Sequence, residues 1–324
     1  MWPNTGIDWK ARQSGWVKKL LRGAERLSLA LERPVGRLVG SPQFNPLYHT
    51  GTITVFLLLV VAFTGVYLTL FYPFGFEASY RAVAGVETVF LGRLMRALHR
   101  YASGALVIAA LLHGWRTFFQ DRFRAARWTA WLSGVGMAAL VWVIGVTGYW
   151  LIWDERTQPI NQVLIDMLDG SAAGQAFLVD YLVLPKDGVG SAFVLIVIGL
   201  HLGLSALTGW LLWLHLKRLN RPKWLPPNFW MALVGGLLVI AAVARPVGTL
   251  PPLDWTRLPA GLPLDAWYLA YLPPALGGSA GAWWLGLGSL LLLAALVPWL
   301  LGSWTRRPLP PVKIDPERCT GCTL

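Results

Sequence analysis

Charge is what this sequence has least of. Asp, Glu, Lys and Arg make up 14% of the 324 residues, whereas apolar residues make up 55%. Soluble domains carry about 25% charged residues, so a soluble enzyme with one greasy patch is excluded. A collagen and a disordered tail are excluded by the same apolar excess. Cysteine is scarcer still, with only Cys319 and Cys322 at the end of the chain, which excludes a disulfide-stapled secreted module. The first 42 residues lack both an apolar run of signal-peptide length and a small-residue cleavage site, so an ordinary secretory leader is not expected.

What the chain does have is tryptophan and positive charge. There are 19 Trp, a residue that gathers at membrane–water interfaces, and mean hydropathy is +0.52. The net charge of +12 would suit nucleic acid in a soluble protein, but here it must be read against topology. A crossing needs about 20 apolar residues, and six stretches qualify: 50–71, 94–119, 129–153, 190–216, 228–244 and 282–301. Ahead of them Trp16, Val17, Leu20, Leu21, Ala24, Leu27 and Leu31 recur at intervals of three and four, with Lys18, Lys19, Arg22 and Arg26 elsewhere. That pattern predicts an amphipathic helix on the membrane surface, the alternative being a soluble cap on the bundle.

Six spans place both termini on one side. That side holds 20 Lys and Arg against 8 on the other, and 6 acidic residues against 10. The Lys/Arg excess marks the cytoplasmic face, so both termini are expected in the cytoplasm of a bacterial-type inner membrane. The charge is thereby accounted for, and no nucleic-acid partner is expected. Two long outer loops, 151–188 and 245–281, are candidates for function.

Four of the five histidines fall inside spans: His99, His113, His201 and His215. Ionisable groups there are costly and mark function by default. Each pair is 14 residues apart, about 40° short of four full turns and about 21 Å along a helix. Each helix thus offers one imidazole near each membrane surface. The second and fourth spans run parallel, so His99 lies level with His201 on the outer side and His113 with His215 on the inner side. Two facing imidazoles at each of two depths suit bis-histidine haem iron. Zinc wants four ligands and finds no Cys or carboxylate at matching depth. Polar helix–helix hydrogen bonding is the bland alternative.

Glycine repeats the interval: Gly51 and Gly65 in the first span, Gly134 and Gly148 in the third. A porphyrin wedged between four helices needs such neighbours, although small residues also serve plain helix packing. Arg96 precedes His99 by three and Arg116 follows His113 by three. Each lies toward its own membrane surface, placed either to pair with haem propionates or as a topological anchor.

These residues, with the run Thr147-Gly148-Tyr149-Trp150-Leu151-Ile152-Trp153, resemble the cytochrome b subunit of cytochrome bc and bf complexes. The run is similar to the family's Gly-Tyr-x-Leu-Pro-Trp, with Ile152 where Pro is usual. The Ile7-Asp8-Trp9 start resembles it as well. The resemblance covers about residues 45–220. It implies an all-α integral membrane bundle of six transmembrane helices with a four-helix diheme core. It also implies two haem b, on His99/His201 and His113/His215, and a quinone or quinol substrate. The expected partners are the lipid bilayer, iron–sulfur or cytochrome c redox subunits, and a second copy or larger complex.

Four segments follow: residues 1–44 with the surface helix and a linker, 45–226 the diheme core, 227–303 two further spans with an outer quinone-site-like loop, and 304–324 a cytoplasmic tail. Where the family carries Pro-Glu-Trp-Tyr, this chain has Pro263-Leu264-Asp265-Ala266-Trp267-Tyr268. Trp267 and Tyr268 align, Ala266 replaces the Glu, and Asp265 is one position off. Quinol oxidation needs a proton acceptor near the outer haem, and Asp265, Asp154 and Glu155 are candidates, with Tyr268 and Tyr149 beside them. His49 is the candidate facing the inner quinone, or else an interfacial anchor.

The tail ends Cys319-Thr320-Gly321-Cys322-Thr323-Leu324. This looks like the opening of a bacterial ferredoxin run, whose four-iron cluster needs four thiolates. An iron–sulfur cluster on Cys319 and Cys322 is expected if the chain continues. No Cys-x-x-Cys-His occurs, so no haem attached by that motif is expected. The sequence thus predicts a diheme cytochrome b relaying electrons across the bilayer between quinone and partner redox subunits. The alternative is a membrane anchor and electron conduit for a cytoplasmic ferredoxin-dependent dehydrogenase, without a quinol-oxidation site of its own.

Overall fold

The computed structural model describes residues 15–73, 75–119, 123, 127–168, 172–177, 189–217, 223–254, 261–278 and 280–300. The Ile7-Asp8-Trp9 start, Cys319, Cys322 and the tail from 301 lie outside the described residues. Among those described, every regular element is helical. In chain order these are α1 (Gly15–Val39), α2 (Thr50–Thr69), α3 (Phe76–Thr88), α4 (Phe90–Phe119), α5 (Trp128–Trp150) and α6 (Thr157–Leu168). They continue with α7 (Ala172–Phe177), α8 (Val189–Lys217), α9 (Asn228–Ala244), α10 (Leu272–Gly277) and α11 (Ala280–Leu300).

All six apolar stretches are helices. α2, α4, α5 and the 193–217 part of α8 are long and apolar enough to cross a membrane, while α9 and α11 supply shorter apolar helices. At 17 residues, α9 reaches about 26 Å, against a hydrocarbon core of about 30 Å. The third stretch ends earlier than its hydropathy suggests. α5 stops at Trp150, and Leu151–Trp153 turns away with Trp153 at φ 59°. That conformation costs a bulky residue about 1–3 kcal/mol. It is held because Trp153 is buried against Phe193 and its carbonyl accepts from Leu253 N at 3.0 Å.

The core is two helix pairs. α2 packs along α4 and α5 along α8, whereas α4 and α8 make little backbone contact, so the two histidine helices stand apart. α9 lies against α4 and α11 against α5. Leu57, Ala102, Leu106, Ala109 and Leu238 form the apolar seam where α2, α4 and α9 meet. Phe63, Val66, Ile240 and Leu290 point outward, as a helix surrounded by lipid requires. The segment 1–44 contributes α1, joined to α4 by Glu32 Oε1 at 3.4 Å from Arg116 Nε. Leu27 and Leu38 on α1 are open, so its apolar positions are not all used on the bundle.

The loops expected to be long carry helices of their own. α6 and α10 pack together and both reach α11, around a buried cluster that includes Tyr149, Ile160, Tyr268 and Leu272. Gly145 on α5 admits the Tyr268 ring, because a Cβ there would lie 2.0 Å from Tyr268 Cε1. Gly145→Ala therefore has to displace a ring that is 1% exposed. We expect it to cost about 1–3 kcal/mol, read as a lowered Tm of the purified protein. Gly136→Ala on the same helix meets open space and should leave Tm unchanged.

Candidate functional site

Each histidine of α4 faces a glycine of α2, and each histidine of α8 faces a glycine of α5. A Cβ on Gly65 would stand 3.1 Å from His99 Cε1, and one on Gly51 2.9 Å from His113 Cε1. On the other pair, a Cβ on Gly148 would stand 3.3 Å from His201 Cε1, and one on Gly134 3.7 Å from His215 Cε1. The shared 14-residue interval is thus a spatial match, two levels of one His–Gly contact in each helix pair. The close approach is to the imidazole itself, a reason for glycine additional to room for a porphyrin.

The residue before each glycine was not singled out from the sequence, and it completes the arrangement. Those residues are Thr50, Thr64, Ser133 and Thr147, a hydroxyl every time. His99 Nδ1 is 3.1 Å from Thr64 Oγ1 and 3.1 Å from the Val61 carbonyl. His201 Nδ1 is 3.0 Å from Thr147 Oγ1, and His215 Nδ1 is 3.0 Å from Ser133 Oγ. Each of these hydroxyls donates its own proton to its helix backbone: Thr64 to Val60 O, Thr147 to Ile144 O and Ser133 to Ala130 O. The hydroxyl oxygen can then only accept, so Nδ1 carries the ring proton and Nε2 keeps its lone pair. That is the state a metal-ligating histidine needs, with the outer ring nitrogen fixing tautomer and orientation. Thr50, ahead of Gly51, is buried at the corresponding place. The readable signal was a hydroxyl–Gly dipeptide occurring twice, 14 residues apart, in each of two spans.

A haem b held by paired imidazoles fits these residues. No group of three or more metal-ligating side chains forms among the described residues. Arg116 is buried; its Nε is ion-paired with Glu32 at 3.4 Å, its Nη2 has no hydrogen-bond partner, and its Cζ is 4.5 Å from the centre of the Tyr48 ring. The free Nη2 of that guanidinium suits an anionic propionate. Arg96 is ion-paired with Glu87 of α3 and donates to the Val247 carbonyl at 2.8 Å. Glu87, which the sequence reading passed over, thereby ties α3 to α4. It also accepts from Thr249 N at 3.3 Å.

Asp265, Tyr149 and Tyr268 come together against α4 and α5. Arg100, missed in the sequence, is their partner: it is ion-paired with Asp265 and its Nε donates to Tyr149 Oη at 2.6 Å. Asp154 is fully buried and paired with Arg156, whose Cζ lies 5.3 Å from the centre of the Tyr149 ring, and its Oδ2 accepts from Leu250 N at 3.3 Å. Removing one partner of such a buried pair costs about 3–5 kcal/mol. Glu155 is half-buried, and its backbone N–H donates to Pro251 O at 3.0 Å. His49 sits at the start of α2, its Nε2 3.0 Å from Gln43 O and its ring 6.5 Å from that of Trp230.

Replacing Thr147 by Val keeps its volume and removes the acceptor for His201 Nδ1–H. We expect the variant to hold one haem about 10–100-fold more weakly, seen as loss of one of two haems on dilution. Thr69→Val is the control, since its hydroxyl bonds only the Gly65 carbonyl, and it should retain both.

Comparison with known proteins agrees with this geometry. The family model for cytochrome b/b6/petB matches residues 35–222. Cytochrome b6 of Mastigocladus laminosus is 33% identical over 174 residues, which is 48% of this chain and 81% of that protein. Cytochrome b6 of Prochlorococcus marinus (strain MIT 9515) is 30% identical over 143 residues, 44% of this chain and 64% of that protein. A chain of a hyperthermophilic respiratory complex III has the same fold at a TM-score of 0.57 and 18% identity, covering 78% of this chain and 75% of that one. With its four span histidines each facing a glycine, this chain belongs to the cytochrome b/b6 family of integral membrane, haem b-binding electron-transfer proteins.

Proposed function

We propose that the chain carries two haem b groups, on His99 with His201 and on His113 with His215. It would relay electrons across the bilayer between quinol or quinone and partner redox subunits. The observation that carries this reading is the repeated His–Gly contact at two levels of the same helix pairs, with Nδ1 of His99, His201 and His215 each at a hydroxyl. When bound, haem supplies a reversible one-electron change at iron. The protein does the rest. α2 and α5 seat the imidazoles, Thr64, Thr147 and Ser133 set the tautomer of three of them, and Arg116 offers an unpartnered Nη2 at the inner end. The levels lie about 21 Å apart along α4, so each imidazole pair serves one half of the membrane.

The Lys/Arg asymmetry supports a bacterial-type inner membrane with both termini cytoplasmic. Iron–sulfur and cytochrome c subunits are the partner classes that suit such a relay, and a second copy suits the family resemblance. An iron–sulfur cluster on Cys319 and Cys322 would need two further thiolates beyond Leu324.

One observation favours the alternative, an anchor and electron conduit for a cytoplasmic ferredoxin-dependent dehydrogenase. Both buried outer carboxylates, Asp265 and Asp154, are engaged by arginines, and neither is an unpaired base.

The test of the diheme reading is haem counting in single-ligand variants. His99→Ala and His113→Ala should each retain one of two haem b, and reduced spectra should show that different haems are lost. A purified chain without haem b absorbance, or the same haem lost in both variants, would contradict it.

A further inference from the structure

Asp265 stands at the outer end of the molecule with every acceptor direction in use. Its Oδ2 meets Arg100 in an ion pair and accepts from Tyr149 Oη at 3.2 Å. Its Oδ1 accepts from the backbone N–H of Trp267 at 2.7 Å and of Tyr268 at 2.8 Å. A carboxylate has about four lone-pair sites, and here all four are spent. Its side chain is 3% exposed.

Each contact does something definite to the chain. The two backbone bonds cap the turn that begins at Asp265, whose carbonyl also accepts from Leu269 N at 3.0 Å. That turn delivers Tyr268 into the space above Gly145, where its hydroxyl donates to Ser103 O at 3.0 Å. Arg100 follows His99 in sequence and reaches the loop across Gly104, where a Cβ would lie 3.3 Å from Arg100 Nη1. The same guanidinium donates to Tyr149, one residue past Gly148, which faces His201. One arginine therefore touches the outer loop and the phenol beside the opposite histidine's glycine.

We infer that Arg100 and Asp265 form a clasp that docks the 261–278 segment on α4 and α5 and orients Tyr149 beside the outer histidine pair. Asp265 is a positioning residue and not the proton acceptor of the outer site. The inference rests on the outer pair being a haem site, and it moves the search for a proton acceptor away from the loop carboxylate nearest the family's Glu position.

The experiment uses the full chain purified with its haems. It compares Arg100→Ala, Asp265→Asn and Arg100→Lys by hydrogen exchange at the Trp267 and Tyr268 amides and by the pH profile of quinol-driven haem reduction. The clasp predicts exchange at least tenfold faster in Arg100→Ala and Asp265→Asn, and near wild type in Arg100→Lys. It predicts slower haem reduction in the first two with an unshifted pH profile, and rescue in the third. Unchanged protection in Arg100→Ala overturns it. So does an Asp265→Asn variant that keeps both amides protected while haem reduction is lost or its pH profile shifts. Haem content is measured in the same samples. Absence of haem b from the unaltered chain would sink the diheme reading, while the amide exchange would still decide whether the clasp exists.

Discussion

The arrangement depends on one constraint: an imidazole inside an apolar bundle has two polar nitrogens and no water to satisfy either. A buried polar atom left alone costs about 1–3 kcal/mol, and four histidines multiply the problem. This chain meets half of it locally. A hydroxyl bonds its own helix backbone and offers its oxygen to Nδ1, as at Thr64, Thr147 and Ser133. The adjacent glycine removes the Cβ that would otherwise hold the ring away. A ring whose Nδ1 is held in this way has Nε2 in the state suited to metal ligation.

The pairing of helices follows from that solution. α2 has to lie close along α4, and α5 along α8, because each glycine must approach a ring to van der Waals distance. α4 and α8 need no such approach and stand apart. Charge is handled differently from the histidines. At the outer end Glu87 with Arg96, Asp154 with Arg156 and Asp265 with Arg100 neutralise one another while fastening α3 and both outer loops to the core. At the inner end Arg116 is paired with Glu32 through Nε and keeps an unpartnered Nη2.

Much of this was legible in the sequence because the helical period is strict. Fourteen residues return a side chain to nearly the same face, so His99, His113, His201, His215 and the four glycines declared their registers without a structure. The hydroxyls before the glycines were equally periodic but are common residues in spans. What could not be read was whatever depends on chains far apart in sequence. Arg100 with Asp265 is separated by 165 positions, and Glu87 with Thr249 by 162. The early end of α5 was hidden for a different reason. Leu151, Ile152 and Trp153 are apolar enough to continue a span, and only the turn at Trp153, held by burial and by Leu253, ends it.

The central claim is that two irons are each held between two imidazoles, and near-infrared magnetic circular dichroism of the oxidised protein tests it most directly. The account predicts that both haems give the low-spin charge-transfer band of bis-imidazole ligation, and that reduction under carbon monoxide leaves the visible spectrum unchanged. A high-spin signal from either haem, or carbon monoxide binding by the reduced protein, would contradict it.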